Sequence, residues 1–182
     1  MSFEPNQVKP TVFWLFGLSG AGKSSLAQPL STHLQSMQLP VLALDGDDLR
    51  RGLCRGLGFS DEDRSENLRR AAEAALLAIR SKLMVVASFI TPLEEHRDLI
   101  SQIIGREQLC LIHIDAPLAV CQMRDVKGLY AHANAGRVTN MTGLTSPFEP
   151  PLVVDLRIDT STNGVDHSLR QLVEFATLRL SR

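Results

Sequence analysis

The sequence is poor in cysteine and has almost no net charge. Its 182 residues include three cysteines, Cys54, Cys110 and Cys121, and its formal net charge at pH 7 is -1. The cysteines form neither a C-x-x-C motif nor a metal-ligand spacing, so we expect reduced thiols in a cytoplasmic protein. A balanced charge offers no bulk attraction to nucleic acid or to a membrane, and we expect neither as a partner.

Long apolar runs are also lacking. No stretch approaches the roughly 18 consecutive apolar residues of a membrane-spanning helix. Residues 1–7 do not have the basic-then-apolar layout of a signal peptide. Hydrophobic residues make up 44% of the chain and charged residues 21%, which is ordinary for a soluble globular protein. The length predicts a single domain, residues 1–182, with room for a substantial core.

Short apolar runs alternate with helical patterns along the chain. Strands are predicted at 11–16, 40–44, 83–89, 109–114 and 154–159, and helices near 23–37, 48–53, 62–81, 93–103, 117–123 and 165–179. This alternation predicts an α/β fold in which helices flank a five-stranded, mostly parallel sheet. Residues 125–150 break the pattern with glycine, proline and polar residues, and we interpret them as a lid over the site. The alternative is a surface excursion without a role.

The most specific motif lies between the first predicted strand and the first predicted helix. Gly17-Leu-Ser-Gly20-Ala-Gly22-Lys23-Ser24-Ser25 fits G-x-x-x-x-G-K-[ST], the phosphate-binding P-loop. Its glycines let backbone N–H groups converge on phosphate oxygens, and the helix N-terminus adds a favourable dipole. Lys23 is expected to reach the β/γ-phosphates, and the Ser24 hydroxyl to ligate Mg²⁺. The predicted ATP-binding residues are Gly17, Leu18, Ser19, Gly20, Ala21, Gly22, Lys23, Ser24 and Ser25.

Acidic residues follow the second predicted strand. Asp45, Asp47 and Asp48 therefore fall near the carboxyl edge of the sheet, where open α/β folds bind ligands. P-loop enzymes often hold Mg²⁺ with a carboxylate near the strand ends, and no acid occurs within 83–89. Asp45 and Asp47 are thus the best candidates, and Asp47 could also take the proton of an acceptor hydroxyl. The alternative is that these acids cap the short helix that follows, with Asp47 or Asp48 as the capping residue.

Basic residues from separate segments are expected to border the same edge. Arg50, Arg64 and Lys127 could bind an anion, because a guanidinium forms a planar, bidentate fork with phosphate or sulfate. A lone arginine is normally a solvated surface charge, and we expect Arg69 and Arg70 to be of that kind.

Several further stretches resemble the adenylyl-sulfate (APS) kinase family. They are Leu44-Asp-Gly-Asp-Asp-Leu-Arg-Arg-Gly-Leu53, Leu57-Gly-Phe-Ser-Asp-Glu-Asp-Arg-Ser-Glu-Asn-Leu-Arg-Arg70, Ser88-Phe-Ile-Thr-Pro92, Arg124-Asp-Val-Lys-Gly-Leu-Tyr130 and Thr142-Gly-Leu-Thr-Ser-Pro-Phe-Glu149. With the P-loop, they follow the family's order from about residue 11 to residue 150. The resemblance implies a P-loop NTPase fold and transfer of the ATP γ-phosphoryl group to the ribose 3′-hydroxyl of APS, with Mg²⁺ as cofactor. It also makes a homodimer plausible.

The resemblance implies a role for individual residues. The implied catalytic residues are Lys23, Asp47 and Asp45, with Asp47 facing the acceptor hydroxyl, and the implied metal ligands are Ser24 and Asp45. Arg124 would lie against the ATP adenine, and Phe59 and Phe148 would sandwich the acceptor adenine. The full implied set for the acceptor is Asp47, Arg50, Phe59, Arg64, Asn67, Ile90, Thr91, Lys127, Gly128, Leu129 and Phe148.

Four departures from the family pattern concern the acceptor side. Asp48 stands where the family usually has asparagine, Gly56 replaces an aspartate, Thr91 replaces a serine, and Ala131-His132 replaces two lysines. They keep open the alternative that the chain phosphorylates another nucleotide-linked acceptor, such as a cytidine phosphoramidate. A second alternative is a nucleotide-binding regulator that has lost turnover.

Overall fold

The computed structural model describes residues 8–136 and 140–181. Residues 1–7 and 182 of the predicted domain, and residues 137–139 of the predicted lid, lie outside the described residues. In chain order the elements are β1 (Val12–Phe16), α1 (Lys23–Ser36), β2 (Val41–Asp45), α2 (Gly46–Arg51), α3 (Asp61–Arg80), β3 (Met84–Phe89), α4 (Glu94–Ile104), β4 (Leu109–Asp115), α5 (Leu118–Arg124), α6 (Leu129–Asn134), β5 (Leu156–Asp159) and α7 (Val165–Leu180). Every predicted strand and helix is found, with each end within about two residues of its predicted position.

Helix α6 was not predicted from the sequence. It lies within the predicted lid and begins after Gly128, which adopts a left-handed conformation with φ of 66°. The Asp125 carboxylate accepts hydrogen bonds from the backbone N–H groups of Tyr130 and Ala131 at 3.1 and 2.9 Å. This side chain therefore satisfies amides at the start of a helix that is too short to leave a clear periodic pattern.

The five strands form one sheet in the order β2-β3-β1-β4-β5, and every neighbouring pair is parallel. All the strands therefore end at the same edge of the sheet. The P-loop follows the central strand β1, and Asp45 ends β2 opposite Ser88 of β3. Ligands bind at this edge in open α/β sheets, so the topology brings the P-loop and the acidic segment together.

Helices cover both faces of the sheet, and the side chains of β1 alternate between them. Phe13 and Leu15 belong to a buried cluster with residues of α1 and α7, whereas Val12, Trp14 and Phe16 belong to a second cluster with α3 and α4. Burial on both faces explains why the strands read as continuous apolar runs. Among the described residues, none of the helices combines the length and the apolar character needed to cross a membrane.

Candidate active site

The P-loop has a backbone that only glycine tolerates at two of its positions. Gly17 has φ of 151°, and a Cβ atom there would lie 2.2 Å from the carbonyl oxygen of Ile114. Gly20 has φ of 78°, and its Cβ would lie 2.9 Å from the carbonyl oxygen of Cys121. The loop leads into α1 at Lys23, where the N–H groups of the first turn have no acceptor within the helix. These amides and the helix dipole form a site for an anion.

Lys23 folds back over the loop. Its ammonium group donates a hydrogen bond to the carbonyl oxygen of Leu18 at 2.8 Å. Burial lowers the pKa of Lys23 to about 8, because the charged form loses water, and the positive charge of Lys127 lowers it further. A cation held in this way gains strongly from an anionic ligand.

Asp45 is the centre of a hydrogen-bond network at the end of β2. One carboxylate oxygen accepts from the hydroxyls of Ser24 at 3.0 Å and Ser88 at 2.7 Å, and the other accepts from the backbone N–H of Asp47 at 2.9 Å. Burial alone would raise the pKa of Asp45, but these hydrogen bonds outweigh it and the pKa is lowered. Asp45 therefore stays ionised and also caps α2, the role that the capping alternative gave to Asp47 or Asp48.

Ser88 was missed in the sequence analysis, which searched β3 only for acids. The signal was present, since Ser88 is a polar residue next to the carboxyl end of a strand that is otherwise apolar. Its pairing with Asp45 depends on the β2–β3 register, which the sequence alone did not supply.

Asp47 forms an ion pair with Lys127 of the predicted lid. Both side chains are more than half exposed, at 59% and 54%. An exposed ion pair contributes little to stability, so this contact is weak enough to exchange for a charged ligand. It nevertheless places a lysine from a distant segment beside the candidate catalytic carboxylate.

Arg50 and Phe59 form one wall of the site. The guanidinium group of Arg50 donates to the carbonyl oxygen of Gly58 at 2.7 Å, and its Cζ lies 4.5 Å from the centre of the Phe59 ring. The Phe59 side chain is 56% exposed. An exposed ring with a cation over it offers a stacking surface for a planar, anionic ligand.

Arg64 connects two segments that are far apart in the sequence. It is only 8% exposed, and its guanidinium donates to the carbonyl oxygen of Phe59 at 3.1 Å, to the Thr142 hydroxyl at 2.9 Å and to the carbonyl oxygen of Asn140. Arg64 is therefore not a solvated surface charge. Its neighbour on α3, Asn67, is buried, and within the described part of the chain its Oδ1 atom has no hydrogen-bond partner.

Arg69 and Arg70 behave differently from Arg64. Both pair with Glu66 on the same helix, through contacts of 2.7 Å in each case. Arg69 is thus an exposed charge with partners on its own helix, as expected, whereas Arg70 also donates to the carbonyl oxygen of Leu53 at 3.1 Å.

Thr91, which replaces a serine of the family pattern, is buried and already bonded. Its side chain is 1% exposed, and its hydroxyl accepts a hydrogen bond from the Trp14 indole N–H at 2.9 Å. The preceding carbonyl, that of Ile90, accepts from the N–H of Gly17 at 3.2 Å. In this structure both residues support the P-loop and β1 from the neighbouring strand end.

Arg124, Tyr130 and Thr160 contact the P-loop from outside it. The guanidinium of Arg124 donates to the carbonyl oxygen of Gly20 at 3.3 Å and also contacts Thr160. The Tyr130 hydroxyl donates to the carbonyl oxygen of Ser19 at 3.0 Å, and the Thr160 hydroxyl to that of Ala21 at 2.8 Å. The roles of Tyr130 and Thr160 could not be predicted from the sequence, because their partners lie in a distant part of the chain.

Most of the predicted site residues line one cleft with a volume of about 830 Å³. The predicted residues that line it are Ser19, Gly20, Ala21, Gly22, Lys23, Ser24, Ser25, Asp45, Asp47, Arg50, Phe59, Arg64, Asn67, Ile90, Thr91, Arg124, Lys127 and Leu129. The predicted residues outside this lining are Gly17, Leu18, Gly128 and Phe148.

Phe148 is the clearest difference from the expected arrangement. Its ring stacks on His113, with ring centres 5.8 Å apart, and lines a separate cavity of about 470 Å³ together with Leu18. The structure therefore does not bring Phe148 and Phe59 to the two sides of one acceptor site.

Comparisons with known proteins agree with this geometry. Residues 9–159 match the family model described as adenylylsulphate kinase. The adenylyl-sulfate kinase of Shewanella baltica (strain OS155 / ATCC BAA-1091) is 45% identical over 168 residues, which cover 92% of this chain and 82% of that protein. The adenylyl-sulfate kinase of Shewanella amazonensis (strain ATCC BAA-1098 / SB2B) is 44% identical over 164 residues, which cover 90% of this chain and 83% of that protein.

A solved structure is similar over almost its whole length. It is the Mycobacterium tuberculosis APS kinase CysC in complex with AMPPNP and APS, which has a TM-score of 0.88 and 38% identity and covers 93% of this chain and 99% of its own. The family match extends from β1 to the end of β5 and includes the P-loop, Asp45, Arg50 and Arg64. This chain belongs to the adenylylsulphate kinase family.

Proposed function

We propose that this protein transfers the γ-phosphoryl group of ATP to the ribose 3′-hydroxyl of adenosine 5′-phosphosulfate (APS). The products are ADP and 3′-phosphoadenosine 5′-phosphosulfate (PAPS). One observation carries the proposal: the P-loop lines the same cleft of about 830 Å³ as Arg50, Phe59 and Arg64, which are suited to a sulfated nucleotide. Membership of the family and similarity to proteins named as APS kinases support the same reaction.

The triphosphate would occupy the P-loop at the start of α1. The first-turn amides carry a partial positive charge and point at an anion there. Lys23 would exchange its contact with the Leu18 carbonyl for the β/γ-phosphates. Arg124, which lies beside the Gly20 carbonyl, would stack on the ATP adenine.

Ser24 and Asp45 are proposed to hold Mg²⁺. Their hydroxyl and carboxylate oxygens lie 3.0 Å apart, and the lowered pKa of Asp45 keeps the carboxylate charged. Such oxygen donors fit a hard cation that keeps waters and substrate phosphates as its other ligands. When bound, the ion neutralises negative charge on the transferring phosphoryl group.

Asp47 is proposed to face the acceptor hydroxyl. It lines the cleft two residues after Asp45, at the start of α2. Its carboxylate would orient the 3′-hydroxyl and accept its proton as the new O–P bond forms. Lys127, now paired with this carboxylate, would contribute positive charge beside the acceptor.

The acceptor would bind across the cleft, against the arginines. The Cζ atoms of Arg50 and Arg64 lie 4.5 and 5.9 Å from the centre of the Phe59 ring. A sulfated phosphate matches the guanidinium forks, and the adenine matches the exposed ring. The Oδ1 atom of buried Asn67, which has no hydrogen-bond partner among the described residues, is a further polar group on this wall. The predicted roles of Ile90, Thr91, Gly128, Leu129 and Phe148 in acceptor binding are part of the same proposal.

Residues 125–150 are proposed to act as a lid. Lys127 near its start pairs with Asp47, and Asn140 and Thr142 in its second half bond to Arg64. Two separate parts of the segment thus contact residues of the proposed acceptor site, and closure there would exclude water from the γ-phosphoryl group. A homodimer is proposed as well, and light scattering of the purified protein measures it directly.

The test is an assay that couples ADP release to a signal, with APS as acceptor and kcat/KM as the readout. A cytidine phosphoramidate is offered in parallel, and the Lys23→Ala variant gives the background rate. We expect APS to be the better acceptor and the variant to be inactive. A higher kcat/KM with the cytidine acceptor would favour the other kinase, whereas ATP binding without transfer to either acceptor would favour the regulator.

A further inference from the structure

Two hydroxyl groups outside the P-loop hold carbonyl oxygens of its backbone. The Tyr130 hydroxyl, from α6, donates to the carbonyl of Ser19 at 3.0 Å. The Thr160 hydroxyl, which follows β5, donates to the carbonyl of Ala21 at 2.8 Å. A second acceptor, the carbonyl of Asp115, lies farther from the Thr160 hydroxyl, at 3.2 Å. A hydroxyl has a single proton to donate, so the shorter contact is the one assigned to Ala21.

A hydrogen bond that fixes the direction of a carbonyl group also fixes the direction of the N–H of the next residue. A peptide unit is planar and trans, so the N–H of the following residue points away from the carbonyl oxygen. The N–H of Gly20 therefore points away from Tyr130, and the N–H of Gly22 points away from Thr160. Both glycines line the cleft, where their amides are predicted to meet phosphate oxygens.

The peptide planes between Ser19 and Gly20 and between Ala21 and Gly22 can rotate easily. Rotation of the unit between Ser19 and Gly20 changes φ of Gly20, and rotation of the unit between Ala21 and Gly22 changes φ of Gly22. Both glycines already have positive φ, 78° and 100°, and glycine populates positive and negative φ about equally. The φ preferences of Gly20 and Gly22 therefore do not select one orientation of these peptide planes. A contact with a residue outside the P-loop is needed to select it.

We propose that Tyr130 and Thr160 are positioning residues whose hydroxyls hold the P-loop amides in the orientation that binds phosphate. The inference rests on the proposed binding of ATP to this loop. Both residues line the cleft, and in this proposal each hydroxyl acts through a peptide unit and not through a contact with the nucleotide. Because Tyr130 and Lys127 lie in the same predicted lid, the lid contacts the donor side of the cleft through Tyr130 and the acceptor side through Lys127.

The two side chains are well placed to keep these bonds. Tyr130 is 2% exposed and Thr160 is 8% exposed, so water competes little for their hydroxyls. Burial raises the pKa of Tyr130, which keeps its hydroxyl protonated as a donor. The Tyr130 ring belongs to the buried cluster with α1 and α7, so removal of the oxygen alone leaves its packing intact.

The experiment measures binding of the ATP analogue AMPPNP with Mg²⁺ by calorimetry to the full chain. Tyr130→Phe deletes one hydroxyl and little else, and is the cleaner test. Thr160→Val deletes the other hydroxyl and with it the 3.3 Å contact from the Arg124 guanidinium. We expect each to raise the dissociation constant about fivefold, the equivalent of one hydrogen bond of about 1 kcal/mol. The KM for ATP should rise by the same factor, whereas the KM for APS should stay within about twofold.

Matched variants separate positioning from a loss of stability. Thr160→Ser keeps the hydroxyl and should restore wild-type affinity for AMPPNP. Thr177→Val deletes a hydroxyl that bonds within α7, to the carbonyl of Val173, and should leave affinity unchanged. Thermal melts identify the folded variants. A merely structural role would lower the melting temperature and leave the affinity of the folded protein at its wild-type value.

The outcomes also separate this inference from the proposed function. Wild-type affinity for AMPPNP in folded Tyr130→Phe and Thr160→Val would overturn the inference while leaving the kinase assignment intact. A wild-type protein that bound no AMPPNP would overturn the proposed function and the inference together.

Discussion

Replacing Arg64 by alanine tests the acceptor side of the cleft. Arg64 is buried and directs its guanidinium group at the carbonyl of Phe59, the hydroxyl of Thr142 and the carbonyl of Asn140. The proposed role requires this group to bind the anionic tail of APS in addition to these contacts or in exchange for some of them. The Arg64→Ala variant removes the charge and the fork together.

The expected magnitude follows from the number of hydrogen bonds. A hydrogen bond to a charged group contributes about 1.5–3 kcal/mol, so a bidentate contact with the anion would contribute about 3–6 kcal/mol. Part of this is offset, because the free guanidinium already has protein partners. We therefore expect a net loss of about 3 kcal/mol, which is about a 100-fold fall in kcat/KM for APS.

The assay measures ADP release at saturating ATP while the APS concentration is varied. The KM for ATP should change little, since the hydrogen bonds of Arg64 are with Phe59, Thr142 and Asn140. Arg69→Ala is the matched control, because Arg69 lies on the same helix, is exposed and pairs with Glu66. An unchanged KM for APS in folded Arg64→Ala, or an equal loss in Arg69→Ala, would refute the reasoning.

Three further predictions concern the acid, the lysine and a buried histidine. Asp47→Asn should lower kcat by far more than it weakens AMPPNP binding, because the carboxylate acts on the acceptor; equal losses in single-turnover rate and affinity would contradict this. The pKa of free Lys23 is about 8, and a bound phosphate favours its protonated form. ATP binding above pH 8 should therefore take up protons, measured by calorimetry in buffers of different ionisation enthalpy, and Lys23→Met should not. Burial lowers the pKa of His113 from 6.5 to about 4. Between these values the unfolded chain binds more protons, so stability should fall as the pH drops through this window. His113→Phe should flatten that loss in urea unfolding curves, and an unchanged pH profile would argue against a neutral, buried His113.

Local patterns were sufficient for the framework of the site. The P-loop and Asp45 could be predicted because a glycine motif and a strand end each determine position within a few residues. Lys127 could be predicted only in outline, since its pairing with Asp47 depends on how a distant segment returns to the cleft. Helix α6 was missed because a single turn and a half, capped by Asp125, leaves no periodic pattern long enough to detect.

Residues whose roles depend on tertiary contacts could not be predicted from local sequence patterns. Tyr130 is separated from Ser19 by 111 positions, Thr160 from Ala21 by 139 and Thr142 from Arg64 by 78. No sequence motif around a tyrosine or threonine identifies its hydrogen-bond partner, because the hydroxyl can donate to any carbonyl that the fold brings near. Only the parallel sheet, which gathers all strand ends at one edge, determines which carbonyls those are.

Phe148 illustrates the same point for an aromatic ring. Its stack on His113 continues to Phe16 at the end of β1, with centres 5.1 Å apart, so the ring already has an aromatic partner. An aromatic pair is worth about 0.5–1.5 kcal/mol beyond its burial, whereas a base stacked on an aromatic side chain is worth about 1–3 kcal/mol. The two energies are close enough that a family motif cannot decide which partner the ring takes without a ligand. The sandwich of Phe59 and Phe148 therefore stays a prediction, and it requires Phe148, which lines a separate cavity, to reach the cleft that Phe59 lines.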